Sequence, residues 1–116
     1  MKIVRLIASG VDYGIRVSVA DTAPERMRGL LGRESLAIDE ALLLRPCRSI
    51  HTFGMRFAID VLFLDRRGCV VAVHHEVAAR RLLFSLRATQ TLEMPAGTAR
   101  SRSIKTGDMF AFEAIL

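Results

Sequence analysis

Cysteine, aromatic residues and long apolar runs are scarce in this sequence. The 116 residues include two cysteines, one tyrosine and no tryptophan. Two cysteines that do not form a C-x-x-C pair exclude a disulfide-rich scaffold, and we expect Cys47 and Cys69 to be buried thiols in a reducing compartment. No run of about 18 uncharged apolar residues occurs, so the sequence predicts no membrane span and a cytoplasmic protein.

The residues that are abundant indicate one compact domain. Hydrophobic residues make up 51% of the chain and charged residues 25%, a balance that excludes intrinsic disorder. The chain has no internal repeat or low-complexity tract, so residues 1–116 are predicted to fold as a single domain. The 17 basic residues outnumber the 12 acidic ones, which gives a net charge of +5. The first residues resemble a shortened signal peptide, but Arg5 interrupts the apolar run and the alternation predicts a strand.

Apolar runs of two kinds, alternating and continuous, predict a protein dominated by β-strands. The predicted strands are residues 2–8, 15–20, 41–45, 49–53, 60–64, 69–77, 89–94 and 109–116. The clearest pair flanks a turn at 65–68 and predicts a central hairpin that is covered on both faces. Its core residues are expected to be Leu62, Phe63, Leu64, Val71 and Val73. Since no β-α-β alternation occurs, the predicted fold class is α+β, a mostly antiparallel sheet curled into a partial barrel with one helix packed against it.

That helix is predicted over about residues 22–31, in the segment DTAPERMRGLLGRES. Thr22 and Glu25 have the spacing of a capping box, in which each side chain accepts a hydrogen bond from a free backbone N–H of the other. Gly32 is predicted to end the helix in a left-handed conformation. Helical spacing then places three apolar side chains on one face, so we expect burial of Met27, Leu30 and Leu31.

Four blocks of the sequence carry a resemblance to a known family. They read VSVADTAPERMRGLLGRESLAIDEALLL, CRSIHTFGMRFAIDVLFLDRRGCVVAV, TLEMPAGTA and KTGDMF. From about Val17 to Phe112 the chain resembles the bacterial and archaeal family catalogued as domain of unknown function 192. The sequence departs from the family at Gly54, where a large aromatic residue is usual, and at Ala58, where proline is usual. The resemblance implies a shared fold, and the family has no established activity, substrate or catalytic residue.

A polar cluster in the second block is the candidate ligand site. Its members are His51, Thr52, Met55, Arg56, Asp60 and, further along the chain, Glu93. These groups are predicted to line the mouth of the barrel and to bind a small polar or anionic ligand. The alternative is a structural role, in which Asp60 enters a covered strand and needs a hydrogen-bond partner. Backbone N–H groups, Arg56 or His51 are its candidate partners.

Metal and nucleophilic chemistry are not predicted. Cys47, His51, Cys69, His74 and His75 are suitable zinc ligands by type. However, Cys69 and His75 are six residues apart on one predicted strand, or about 20 Å, whereas ligands of one tetrahedral zinc lie within about 4 Å of each other. No G-x-S-x-G or similar nucleophile motif occurs. We therefore expect no metal, no cofactor and no catalytic residue.

The sequence favours a small, non-enzymatic binding or accessory domain whose partner is a small polar or anionic ligand or another protein. The alternative is a basic-surface protein that contacts nucleic acid or an acidic partner, because excess positive charge attracts phosphates. The best local patch for that function is Arg100, Arg102 and Lys105. An uncharacterised hydrolase or transferase is the third hypothesis.

Overall fold

The structure is a computed structural model that describes residues 1–115, and most of these lie in β-strands. In chain order the elements are β1 (Lys2–Ala8), β2 (Val11–Ala20), α1 (Ala23–Arg28), β3 (Glu40–Leu44), β4 (Ser49–His51), β5 (Ile59–Leu64), β6 (Val70–Val77), β7 (Leu82–Phe84), β8 (Gln90–Pro95), α2 (Thr98–Ser101) and β9 (Phe110–Ala114). A mostly β protein with few helices is confirmed. Two short helices replace the single longer helix that the sequence predicted. No helix in the described part of the chain is long and apolar enough to cross a membrane.

Seven strands form one sheet in the order β6-β5-β8-β3-β2-β1-β9, and β4 and β7 form a separate two-stranded ribbon. The β2–β3 pair is parallel, and the other pairs are antiparallel. The edge strands β6 and β9 approach each other at one corner, where an isolated bridge joins Cys69 and Met109. The sheet is not closed into a barrel, so the predicted barrel-like shape is corrected to an open sheet with one bridged corner.

The bridged corner depends on a glycine. Gly68 ends the β5–β6 turn with φ +90°, and its carbonyl accepts a hydrogen bond from the N–H of Phe110 at 2.9 Å. A β-carbon at Gly68 would clash with the carbonyl oxygen of Phe110. Any other residue would therefore push the two edges apart.

Each face of the sheet has its own apolar cluster. Residues from both ends of the sheet, such as Leu6, Leu62 and Phe110, pack together on one face. On the other face Leu44 and Phe63 pack against Leu30, which lies just after α1. This second face is also covered by the ribbon, and it carries the candidate site.

The predicted β5–β6 hairpin is present, but only one of its strands is covered on both faces. All six residues of β5 are buried, including Leu62, Phe63 and Leu64 as predicted. Strand β6 is at the edge of the sheet, and Val71 and Val73 are only partly buried. An edge strand has a neighbour on one side only, so its side chains keep contact with water. The prediction of a central hairpin is wrong for β6.

Helix α1 begins as predicted and ends early. The Thr22 hydroxyl accepts a hydrogen bond from the N–H of Glu25 at 3.3 Å, and the Glu25 carboxylate accepts one from the N–H of Thr22 at 3.2 Å, which confirms the capping box. The helix stops at Arg28 because Gly29 takes a positive φ of +50°. Gly29, rather than the predicted Gly32, is the terminator.

The short helix has no buried residue, so its predicted apolar face is wrong. Met27 is 78% exposed, whereas Leu30 is buried and Leu31 is partly buried. Leu30 and Leu31 follow the helix in a turn, and their direction is set by that turn. The 3.6-residue spacing that predicted one common face applies only while the chain stays helical.

Candidate functional site

A cleft of about 530 Å³ opens on the second face of the sheet, between the α1 region and the chain around β4. Its apolar walls come from Met27, Leu30, Leu31, Leu44, Ile50 and Met55. Polar groups around it include Arg26, Arg28, Arg48 and His51. The Glu93 carboxyl lies at its floor, on the central strand β8. Its volume is within the range of about 300–1,000 Å³ typical of small-molecule sites.

Glu93 is held at the floor by strand pairing on both sides. It lies opposite Leu42 of β3 and Val61 of β5, and both neighbours are buried. The residue is only 5% exposed, and this burial raises the pKa of its carboxyl to about 7. Within residues 1–115 no group donates a hydrogen bond to the carboxyl and no cation pairs with it.

A buried carboxyl without a partner is unusual, because most buried polar groups are hydrogen-bonded. The guanidinium of Arg26, which also lines the cleft, is turned to other acceptors. It donates to the carbonyl of Asp21 at 2.9 Å and to that of Arg45 at 3.5 Å. No side-chain oxygen among the described residues is both fully buried and unpaired, so the Glu93 carboxyl oxygens keep contact with solvent in the cleft. The carboxyl oxygens of Glu93 are thus available to accept hydrogen bonds from a molecule in the cleft.

The mouth of the cleft has the opposite charge. Arg28, Arg48 and His51 are exposed, and none of their side chains forms an ion pair among the residues that the structure describes. The cleft therefore combines an acidic floor, apolar walls and a basic mouth. Such an arrangement can orient a molecule whose two ends differ in charge.

Three of the six predicted site residues are brought together here, namely His51, Met55 and Glu93. Thr52 lies elsewhere and is buried. Its hydroxyl donates to the carbonyl of Ala78 at 2.7 Å and accepts from the N–H of Arg81 at 2.9 Å. These bonds fasten the chain after β4 to the chain before β7, so Thr52 has a structural role.

Asp60 also lies outside the cleft. Its two oxygens accept hydrogen bonds from the backbone N–H groups of Glu76 and Ala99, each at 2.8 Å. A bulge in β6, opposite Asp60, places the N–H of Glu76 within reach, with Glu76 at φ +49°. Neither predicted side-chain pair forms. Arg56 lies 3.4 Å from Glu34 in an exposed ion pair, and His51 is at the mouth of the cleft.

Sequence reasoning missed Arg28, Arg48, Leu31 and Ile50 as members of the cleft. They come from segments far apart in the sequence, and no local spacing joins them. Glu93 did have a signal, because it is a charged residue inside the apolar strand sequence TLEM. A charge in a strand that is otherwise buried indicates either an ion pair or a site.

The structure also places the Cys47 thiol and the residues that could bind a metal. The Cys47 thiol lines the cleft but donates to the carbonyl of Ser49 at 3.1 Å, and no imidazole pairs with it. In the part of the chain that the structure describes, no three His, Cys, Asp or Glu side chains are grouped so that they could hold a metal ion.

The basic patch predicted for nucleic acid is occupied by contacts within the domain. Arg100 lies 2.6 Å from Glu76, and Lys105 lies 3.3 Å from Asp108. Arg102 donates to the carbonyl of Tyr13 and lies over its ring, 5.5 Å from the ring centre. Arg100 and Lys105 thus form ion pairs at the surface, and Arg102 is held against Tyr13.

Comparisons with known proteins identify a family and a fold. The family described as Uncharacterized ACR, COG1430 (domain of unknown function 192) matches residues 4–112. A protein of Sinorhizobium meliloti 1021, described as a "putative transcription regulator", has a structure with a TM-score of 0.84 at 23% identity, and the match covers 96% of this chain and 92% of that one. A protein of unknown function from Novosphingobium aromaticivorans DSM 12444 has a TM-score of 0.82 at 20% identity, covering 94% and 83%. Identities this low establish the fold alone. No curated protein matches the chain.

Proposed function

The chain belongs to the family described as Uncharacterized ACR, COG1430, which has no established activity, and we propose from the cleft itself that the protein is a small-molecule-binding domain. The single observation that carries the proposal is Glu93, a buried carboxyl without a partner in residues 1–115 at the floor of an apolar cleft. A ligand with a cationic or hydrogen-bond-donating end supplies the missing partner. A charge-assisted hydrogen bond of this kind is about twice as strong as a neutral one.

The walls and the mouth define the rest of the ligand. Leu31, Ile50 and Met55 favour an apolar body, since burial of apolar surface contributes about 25 cal/mol per Å². Arg28 and Arg48 at the mouth favour a polar or anionic group at the opposite end. The class of ligand is therefore a small amphiphile that enters with its donor end first.

Neither rival function has comparable support. The proposed nucleic-acid patch is engaged in contacts within the domain at Arg100, Arg102 and Lys105. A hydrolase or transferase that forms a covalent intermediate needs an activated nucleophile, and the Cys47 thiol donates to a backbone carbonyl instead. A non-enzymatic binding domain is the function that the geometry favours.

Titration of the ¹⁵N-labelled protein with phenethylamine and n-hexylamine tests the proposal, with hexanol and hexanoate as probes that share the apolar body. We expect amide shifts confined to the turn after α1, the chain around β4 and the middle of β8. Glu93→Gln should weaken amine binding by about tenfold or more, because a hydrogen bond to a charged group contributes about 1.5–3 kcal/mol.

The exposed Glu113 provides a matched control, and Glu113→Gln should leave amine binding unchanged. Amine binding of equal strength in wild type and Glu93→Gln would contradict the role of the carboxyl. The absence of shifts at the cleft with every probe would contradict the binding function as a whole.

A further inference from the structure

The ribbon formed by β4 and β7 presents apolar side chains to solvent. Its inner side is anchored, because Ile50 is buried and Leu83 packs against the second cluster. On its outer side Leu82 is 72% exposed and Phe84 is 66% exposed, and Leu86 just beyond β7 is 76% exposed. Large apolar side chains this exposed and this close in sequence mark an interaction surface.

The pairing of the two strands places these groups together. Leu82 lies opposite His51 and Phe84 lies opposite Ser49, so each pair shares the outer side of the ribbon. The ring of Phe53, which is also exposed, lies 5.9 Å from the ring of His51. The ribbon face is defined here as Phe53, Leu82, Phe84 and Leu86.

The two segments that contain the ribbon carry only positive charge, although Arg56 pairs with Glu34 and Glu76 lies near Arg81 and Leu83. Segments 41–59 and 77–92, which contain the ribbon and its flanks, hold six arginines and neither Asp nor Glu. The whole chain has a net charge of +5, so the rest of the chain carries about one net negative charge. The net positive charge of the chain therefore falls in these two segments, while the basic and acidic residues of the remainder nearly balance.

The arginines also bracket the apolar side chains in sequence. Arg80 and Arg81 precede Leu82, and Arg87 follows Leu86. All three guanidinium groups are exposed, and none forms an ion pair within the described residues. Exposed apolar side chains flanked in sequence by these cations match a surface with an anionic outer layer and a hydrocarbon interior.

We propose that the ribbon face docks the protein on an anionic membrane surface, with Leu82, Phe84 and Leu86 inserted among the lipids and the flanking arginines on the headgroups. Anionic lipids attract each nearby Lys or Arg with about 1 kcal/mol, or about fivefold in affinity. Nucleic acid offers phosphates, and its bases could stack on Phe53 and Phe84, but it has no apolar layer for Leu82 and Leu86. The ribbon face adjoins the mouth of the cleft, since His51 lies opposite Leu82 and also lines the cleft, but the proposal requires no ligand there.

Vesicle co-sedimentation of the full chain tests the proposal. Vesicles of phosphatidylcholine with 30% phosphatidylglycerol should bind the protein, and vesicles of phosphatidylcholine alone should bind it at least tenfold more weakly. Binding should decrease as salt is raised from 50 to 500 mM, because salt screens the attraction between exposed charges.

Variants separate the apolar and the charged contributions. Leu82→Ser, Phe84→Ser and Leu86→Ser combined should reduce binding to anionic vesicles about 100-fold without a change in charge. Ile38→Ser, which removes an equally exposed apolar side chain far from the ribbon in sequence, should have no effect. Arg80→Gln with Arg81→Gln should reduce binding about 25-fold, whereas Arg66→Gln with Arg67→Gln in the β5–β6 turn should reduce it much less.

Other occupants of the ribbon face would give different results. Binding to the oligonucleotide dT20 that survives the triple serine change, with no binding to anionic vesicles, would assign the arginines to nucleic acid and overturn the proposal. Sedimentation of the wild type as a dimer that the triple serine change converts to monomer would assign the face to a second copy and overturn it as well. Equal vesicle binding by the triple serine variant and the wild type would refute the insertion.

Discussion

The ionisation of Glu93 should make the stability of this protein depend on pH. In the unfolded chain the carboxyl has its ordinary pKa of 4.5, and burial raises the pKa to about 7 in the folded protein. Between these values the folded protein keeps a proton that the unfolded chain has lost. The free energy of unfolding attributable to Glu93 therefore decreases as pH rises through this window, and it is constant above about pH 7 and below about pH 4.5.

The magnitude follows from the same two pKa values. The difference between 4.5 and about 7 corresponds to roughly 3 kcal/mol, at about 1.4 kcal/mol per pH unit. Glu93→Gln is nearly isosteric and does not titrate. Between pH 4.5 and pH 8 the free energy of unfolding of Glu93→Gln should therefore rise by about 3 kcal/mol relative to that of the wild type. All other titrating groups are common to the two proteins and cancel in the difference.

Urea unfolding followed by circular dichroism at pH 4.5, 5.5, 6.5, 7.5 and 8 measures this difference directly. The exposed Glu113 serves as a control. The difference in free energy of unfolding between wild type and Glu113→Gln should vary by no more than a few tenths of a kcal/mol over the same pH range. A difference between wild type and Glu93→Gln that stays constant within about 0.5 kcal/mol over the whole range would show that the carboxyl is solvated, and the reasoning would fail.

Three further predictions concern the fold around the site. Asp60→Asn should lower the free energy of unfolding by about 1–3 kcal/mol, because one backbone N–H loses its acceptor. Arg56→Ala should change the free energy of unfolding by less than about 0.5 kcal/mol. Comparable losses in the two variants would indicate an Asp60–Arg56 pair and contradict the structure. Leu30→Ala should cost about 2–5 kcal/mol by chemical denaturation, while the exposed Met27→Ala should cost almost nothing, and the reverse order would mean that the faces of this segment are misassigned. Gly68→Ala should destabilise the protein and speed amide exchange at the bridged corner, since its β-carbon meets the backbone of the opposite strand; unchanged exchange there would refute the close approach.

The sequence predicted those features that depend on local chemistry. The capping box at Thr22 and Glu25 forms because both partners lie within one helical turn. Strand β5 is fully buried, as its continuous apolar run indicated. The end of α1 was missed because either Gly29 or Gly32 can stop a helix, and the local sequence does not select between them.

The candidate site was predicted only in part, because some of its contacts depend on tertiary structure rather than on local sequence. Glu93 was recognisable as a charge inside a buried strand, and it does lie at the floor of the cleft. The sequence left backbone N–H groups, Arg56 and His51 open as partners of Asp60, and the structure provides the backbone N–H groups of Glu76 and Ala99. Those donors depend on a bulge in β6 and on the approach of α2, and neither has a signature in the local sequence.

The most direct test of the proposed binding site is a ¹³C NMR titration of the Glu93 carboxyl, with and without saturating phenethylamine. In the free protein the pKa should be about 7, because the carboxyl is buried and has no partner in the described structure. With the amine bound, the ammonium group should stabilise the ionised carboxylate and move the pKa well below that of the free protein. A pKa near the ordinary 4.5 in the free protein, or a value that the amine leaves unchanged, would contradict the account.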